Sequence, residues 1–328
     1  MLIRFIANEK LDQFLERLRQ WGELHAPVRG EDGLVRFAHL APGTLPDLAT
    51  LRTVLPPKKY LLAPWDKVLT YTEASSYQPP SKETGPIILF GVHPCDLAGI
   101  YYLDLIFLGE DPDPVYATRR SALTLIGISC TPDEQCSCQK FPSTLKAASD
   151  IFLSAFEGGF AVSSSSAHGK AIIDDLREIL TERNMELTPD NRDFFGREDG
   201  LPRPEFNQNS PEWQELASHC LGCGACSLTC PTCYCFEVAE LCGLDGCTAE
   251  RIRRWDNCLL SNHARVAGGA SFCKDRAERF RYRYRHKYHG FGYFQGIPAC
   301  VGCGRCRAAC PAGLDLHSAV ERLPGETP

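Results

Sequence analysis

The stretch Cys220-Leu-Gly-Cys223-Gly-Ala-Cys226-Ser-Leu-Thr-Cys230-Pro231 recurs near the end of the chain as Cys300-Val-Gly-Cys303-Gly-Arg-Cys306-Arg-Ala-Ala-Cys310-Pro311. Each copy follows C-x2-C-x2-C-x3-C-P, the run in which three thiolates hold one 4Fe-4S cube and the fourth reaches across to a partner cube. The spacing predicts one cluster on Cys220, Cys223, Cys226 and Cys310, and a second on Cys300, Cys303, Cys306 and Cys230. Thiolates this close along one turning segment can grip three corners of a small cube without stretching the backbone. Gly222, Gly224, Gly302 and Gly304 supply the turning and let amides approach the cluster sulfurs. Pro231 and Pro311 fix the direction in which the chain leaves. Paired zinc sites are the competing reading, but these usually show two separated knuckles rather than four cysteines in eleven residues.

The 328 residues suit about two domains of ordinary size. An apolar fraction of 44% with 10% aromatic residues is enough for real cores. The formal net charge of -6 provides no overall basic field, so no nucleic-acid partner is expected. No apolar run approaches a bilayer span, and the start, Met1 to Lys10, lacks the apolar core of a signal peptide. The expectation is a soluble, cytoplasmic chain with no membrane partner. Eighteen cysteines gathered at cofactor spacing in a long chain read as ligands rather than a disulfide framework. Low-potential clusters of this kind suit an anaerobic setting.

The fold class expected is α+β: an N-terminal mixed α/β domain over residues 1–208, then a mainly α-helical ferredoxin-like dicluster domain over 209–328. From Asn8 as N-cap, Leu11, Phe14, Leu15, Leu18 and Trp21 recur at helical spacing, predicting an amphipathic helix over 8–21. Residues 22–86 read as short strands and loops without ligand spacing. Ile87 to Val92 reads as a buried strand, followed by His93-Pro94-Cys95-Asp96 and a helical run from Leu97 to Leu108. A second strand, Leu123 to Ile128, leads to Cys130-Thr-Pro-Asp-Glu-Gln-Cys136-Ser-Cys138. If these strands are neighbours, both deliver cysteine to one rim, where α/β folds commonly carry sites. Cys95, Cys130, Cys136 and Cys138 thus form a candidate third 4Fe-4S site. The alternative is a core Cys95 beside a degenerate or zinc-binding loop.

Asp150 to Phe156 and Phe160 to Ser165 read as a hairpin about Glu157-Gly158-Gly159, and Ile172 to Leu180 as a helix. Ser163 to Ser166 read as a solvated strand end rather than a nucleophile, since no His-acid pair is placed to activate one. Residues 188–211, with Pro189, Pro202, Pro204 and Pro211, read as a linker. Glu212 to Ser218, Cys235 to Cys242 and Leu316 to Leu323 read as helices flanking the cluster motifs. Cys233 and Cys235 are expected to pack against a cluster, with exchange into a ligand role as the alternative. Cys242, Cys247, Cys258 and Cys273 have no ligand pattern and are expected to be buried structural thiols. In residues 274–291, Phe280, Tyr284 and Tyr288 share a helical face. Arg279, Arg281, Arg283 and Arg285 would offset the charge of anionic clusters or meet an acidic partner protein, rather than hold single-stranded nucleic acid.

These residues resemble a known family, the beta subunits of soluble nickel-iron sulfhydrogenases together with the A subunits of anaerobic sulfite reductases. The resemblance rests on Phe90-Gly-Val-His-Pro-Cys-Asp96, Arg119-Arg120, the Cys136-Ser-Cys138 loop, Cys220 through Phe236, Trp255-Asp-Asn-Cys258, Ala267-Gly-Gly269, Arg285-His-Lys287 and Cys300 through Pro311. It implies an electron-transfer subunit between a flavin subunit that exchanges hydride with NAD(P)H and a catalytic subunit. That catalyst would be a nickel-iron hydrogenase or a sirohaem sulfite reductase, and some members are linked to reduction of elemental sulfur or polysulfide.

The residues themselves agree on a relay. No glycine-rich dinucleotide fingerprint and no P-loop is present, so no flavin or nicotinamide site is expected in this chain. Nicotinamide delivers two electrons as hydride whereas a cube takes one, so a flavin partner must divide them. Two other functions remain open at this stage. One is a self-contained sulfur or polysulfide reductase, and the other is a non-catalytic cluster protein that binds nucleic acid through 274–291.

Overall fold

The computed structural model describes residues 2–73, 76–78, 85–140, 149–184, 207, 209–263, 265–289, 298–321 and 323. The chain forms two compact units. The first comprises Met1–Lys58, Thr84–Leu201 and Val301–Cys303, and the second Lys59–Glu83, Pro202–Cys300 and Gly304–Pro328. The second unit therefore takes a segment from the N-terminal half of the chain. Most of the stretch read as a linker, 188–206 and 208, lies outside the described residues.

In chain order the first elements are β1 (Leu2–Ala7), α1 (Leu11–Leu18), β2 (Glu23–Arg29) and β3 (Val35–His39), followed by β4 (Trp65–Thr72) and β5 (Ser76–Gln78) of the second unit. Then come β6 (Ile87–Val92), α2 (Pro94–Phe107), α3 (Pro114–Ser121), β7 (Leu123–Ile128), β8 (Ile151–Phe156), β9 (Gly159–Ser164), α4 (Ala167–Asp175) and β10 (Thr181–Asn184). The first unit's sheet runs β10-β1-β9-β8-β7-β6-β2-β3. Its centre is parallel, with β2 beside β6, β6 beside β7 and β7 beside β8. Every residue of β7 is buried and only Ile87 of β6 is partly exposed, as a parallel centre covered on both faces requires. Phe14, Leu15 and Leu18 of α1 and Ile172, Ile173 and Leu176 close the core over Ile88, Phe90, Ile126 and Leu153.

The two buried strands and the hairpin fall where the sequence pattern put them. Two helices differ in extent. A short 3-10 turn, Asn8–Lys10, precedes α1, and no side chain caps either start, so Asn8 is not an N-cap. The helix expected from Ile172 begins earlier and ends at Asp175. The cause lies in the serine run, since Ser166 Oγ accepts the Gly169 amide at 2.9 Å and so caps α4. The same hydroxyl donates to Asp150 Oδ1 at 2.6 Å, and Asp150 Oδ2 accepts the Leu125 amide at 2.9 Å. One aspartate thus pins the start of α4 to the central strand β7.

The second unit contains α5 (Glu212–His219), α6 (Ala225–Leu228), β11 (Phe236–Cys242), β12 (Thr248–Trp255), α7 (Arg276–His289), α8 (Arg305–Ala308) and α9 (Leu316–Glu321). It combines helices with an antiparallel sheet in the order β11-β12-β4-β5. The helix expected over 235–242 is therefore a strand. Glu, Ala and Leu in this run favour a helix, but burial alternates from Phe236 to Glu240, and the Asp245-Gly246 turn, with Gly246 at φ 67°, folds it back on β12. Trp255 locks this sheet to the preceding segment: its amide donates to Pro64 O at 2.9 Å and its indole to Leu62 O at 3.2 Å. Phe280, Tyr284 and Tyr288 share the buried face of α7, and Trp213 of α5 meets Phe280 and Tyr284 edge-on at 6.2 and 5.3 Å. Among the described residues, no helix is long and apolar enough to cross a membrane.

A Cβ at Gly169 would collide with the Asp150 carbonyl oxygen, a backbone atom that accepts the Ser165 amide at 3.1 Å. Gly169→Ala should destabilise the protein by about 1–3 kcal/mol, the usual cost of overpacking. Urea denaturation followed by circular dichroism checks it, and an unchanged midpoint would contradict this account.

Candidate metal centre

Cys220, Cys223, Cys226 and Cys310 line one cavity in the second unit, together with Leu259, Phe280, Arg283, Tyr284, Cys306 and Pro311. The two sequence repeats make the same turn. Gly222 and Gly224 have φ of 66° and 77°, Gly302 and Gly304 have 64° and 71°, and each second glycine opens a four-residue helix carrying Cys226 or Cys306. L-residues rarely adopt this conformation. At Gly224 a Cβ would also run into Asn257, whose Nδ2 donates to Gly224 O at 2.7 Å. Backbone amides already point at sulfur: Gly222 N donates to Cys220 Sγ and Leu314 N to Cys310 Sγ, each at 3.4 Å. Five thiols around one apolar-walled cavity, two of them with an amide donor at the sulfur, fit a 4Fe-4S cube held by four of them. A cube spreads its ligands to its corners, whereas one ion draws them into a single sphere. Among the described residues, no group of three or more His, Cys, Asp or Glu could hold a single metal ion.

The second predicted set is anchored through Thr232 and Lys287. Thr232 Oγ1 lies 3.3 Å from Cys230 Sγ, donates to Ala299 O and accepts from Lys287 Nζ at 2.7 Å. The Cys300 amide in turn donates to Lys287 O at 3.2 Å. Cys230 and Cys300 are thereby tied to one hub, and Cys306 lines the cavity described above. Cys303 is buried and belongs with residues 301–303 to the first unit, where the Ser137 amide donates to Gly302 O at 2.7 Å.

Arg283 is buried on the same face of α7 as Lys287. It donates to Cys226 O at 2.9 Å, to Ser227 Oγ at 2.6 Å and to Cys233 Sγ at 3.5 Å. Burial opposes its charge, yet Cys226, Cys233, Cys230 and Cys258 together hold its pKa above the ordinary value. Of the other arginines in this segment, Arg279 donates to Leu259 O at 3.1 Å, Arg281 is half-buried and Arg285 is exposed.

In the first unit, β6 and β7 are parallel neighbours, so Cys95 in the first turn of α2 and Cys130 beyond β7 emerge at the same edge. Cys95, Cys130 and Cys136 all lie within electrostatic reach of Cys138. The Cys138 pKa is raised first by its hydrogen bond with Cys136, then by burial and by the charges of Cys95, Cys136 and Cys130. The same hydrogen bond lowers Cys136 to about 6. Burial, then Cys136, pushes Cys130 up to about 12. Arg52 completes this group: its Nη1 donates to Cys136 Sγ at 3.3 Å and to Asp133 Oδ1 at 3.1 Å. Arg52 lies in the span that shows no ligand spacing, and a single arginine far from the cysteines leaves no local signal.

The six remaining cysteines separate. Cys242 and Cys247 are exposed, which corrects the expectation of buried thiols, because Cys242 ends the edge strand β11 and Cys247 lies in the turn that follows it. Cys258 is buried and Cys273 partly so. Cys230 raises the pKa of the Cys233 thiol, and Cys258 lowers that of Cys235.

These sites define a class before they define a relative. A family profile described as the 4Fe-4S dicluster domain matches residues 219–314, the span from the first cysteine run through the second. Over nearly its whole length the chain is similar to the sulfhydrogenase 2 subunit beta of Pyrococcus furiosus, with 33% identity over 332 residues covering 97% of each chain. The protein belongs to the family of sulfhydrogenase beta subunits and carries a 4Fe-4S dicluster domain.

Gly224→Ala should cost the protein the cluster nearest Cys220, since both the backbone turn and the Asn257 clasp forbid a side chain there. Iron analysis of anaerobically purified protein should show about four irons fewer per chain. Full iron content in this variant would refute the role given to the turn.

Proposed function

We propose that this chain is an iron-sulfur electron-transfer subunit that relays single electrons between a flavin/NAD(P)H-linked subunit and a terminal catalytic subunit. The terminal subunit is a hydrogenase or sulfhydrogenase, or a sirohaem sulfite reductase, and a cytoplasmic, anaerobic setting belongs to the same proposal. The observation that carries it is that Cys306 and Cys310, from the second cysteine run, line the same cavity as Cys220, Cys223 and Cys226 of the first. That crossing is what paired 4Fe-4S clusters demand of two such runs. One cluster is assigned to Cys220, Cys223, Cys226 and Cys310, a second to Cys300, Cys303, Cys306 and Cys230, and a third to Cys95, Cys130, Cys136 and Cys138. Bound clusters supply one-electron redox chemistry at potentials set by hydrogen bonds to sulfur, burial and charge.

The residues of the chain prepare these sites in distinct ways. Gly222 N and Leu314 N donate to thiol sulfurs, and Arg283 holds the Cys226 carbonyl and the Ser227 hydroxyl from within the core. Lys287 fixes Thr232 against Cys230, while Arg52 donates to Cys136. Partner chains follow from the relative, which is named as one subunit of a sulfhydrogenase. The burial of Phe280, Tyr284 and Tyr288 supports packing rather than base stacking as the task of the basic helix α7.

Anaerobic protein should hold about twelve irons per chain, against about eight if only the dicluster domain is loaded. Reconstituted with a flavin subunit and a terminal hydrogenase or reductase, it should restore electron flow from NAD(P)H, and Cys223→Ser and Cys303→Ser should each abolish that flow. Intact flow in either variant would sink the proposal. Arg52→Gln should leave iron content unchanged but lower the midpoint potential of the cluster at Cys136, because it removes a cationic donor that stabilises the more negative reduced state. Potentiometric EPR reads the shift.

A further inference from the structure

We propose that Cys235 and Cys258 form a dithiol–disulfide couple that exchanges two electrons, one at a time, with the 4Fe-4S cubes beside it. The proposal rests on the cluster assignment above for its electron partners. Neither cysteine belongs to the two ferredoxin runs. The hairpin of β11 and β12 brings them together. Its register pairs Phe236 with Trp255, and one step further the Asp256 amide donates to Cys235 O at 3.0 Å. Both cysteines therefore stand at the open end of one hairpin, with their thiols within reach of one another.

The same short segment grips the cluster loop. Asn257, next to Cys258, donates to Gly224 O at 2.7 Å and accepts the Leu259 amide at 2.9 Å. The Arg283 guanidinium donates to Cys226 O at 2.9 Å, on the segment that carries two proposed cluster ligands, and lies within electrostatic reach of Cys258. Cys258 is 6% exposed, so bulk thiols and oxidants reach it poorly and an internal electron route is favoured.

On oxidation two S–H bonds break and one S–S bond forms. Two protons leave for solvent, and two electrons pass singly to oxidised cubes. Reduction reverses each change. Whether the pair is oxidised then depends on its potential relative to the cubes.

The test uses the iron-loaded chain, poised anaerobically with mediators at a series of potentials. Each sample is divided between EPR of the cubes and acid quenching followed by alkylation and peptide mass spectrometry. The expected result is parallel loss of label from Cys235 and Cys258 at oxidising poise, with a linked peptide that disappears on reduction. Cys258→Ser should leave Cys235 labelled at every poise while the cube signals persist. Full labelling of both residues at all potentials, with cubes cycling normally, overturns the couple. A link that survives reduction of the cubes overturns it too, since that would be a fixed staple. Thiols that interconvert in samples without cube signals would retain the couple and refute the cluster assignment instead.

Discussion

Arg283 places a positive charge inside the second unit, 4% exposed, where it donates to Cys226 O, Ser227 Oγ and Cys233 Sγ. An unpaired cation at such depth costs far more than a folded domain can spare, so its neighbours must supply both hydrogen-bond acceptors and negative potential. Cys226 O and Ser227 Oγ supply the first, and Cys226, Cys233, Cys230 and Cys258 hold the Arg283 pKa up against the effect of burial. This requirement limits how α7 can dock. Once Arg283 reaches the turn at Cys226, the 3.6-residue period places Lys287 one turn further on against Thr232, and Phe280, Tyr284 and Tyr288 in the core. A helix rich in arginine and tyrosine, which reads from its sequence as surface-seeking, thereby becomes the internal brace for the cysteine loops.

The first unit solves a comparable problem by topology. Its parallel central strands must be covered on both faces, so they are continuous apolar runs, and their carboxyl ends open at a common edge. Cys95 and Cys130 leave from that edge, and the loop carrying Cys136 and Cys138 folds back towards them. Arg52 answers the negative charge that accumulates there, paired to Asp133 and donating to Cys136.

Much of this arrangement was legible in the residues. Runs such as Ile87 to Val92 and Leu123 to Ile128 are too apolar and β-branched for anything but buried strands, and Gly158-Gly159 marks the hairpin turn. The cysteine runs announce their chemistry because each packs four cysteines at cluster spacing into eleven residues. The error at 235–242 has an equally physical origin. Helix-forming residues occupy an edge strand whose partner, β12, decides its conformation, and that pairing is visible only with the Asp245-Gly246 turn taken as a hairpin signal.

The sequence by itself determined the cysteine-bearing segments, the glycine turns within them, the central strands and the family, since each rests on neighbouring residues or on the repeat of a motif. The tertiary structure alone decided that Cys310 shares a cavity with Cys220, that Arg52 reaches Cys136, that Arg283 and Lys287 are buried while Arg285 is not, and that Cys235 faces Cys258. The division follows from range. Backbone conformation and ligand spacing are set within a few residues, whereas burial, charge compensation and the meeting of distant thiols depend on which surfaces the folded chain brings into contact.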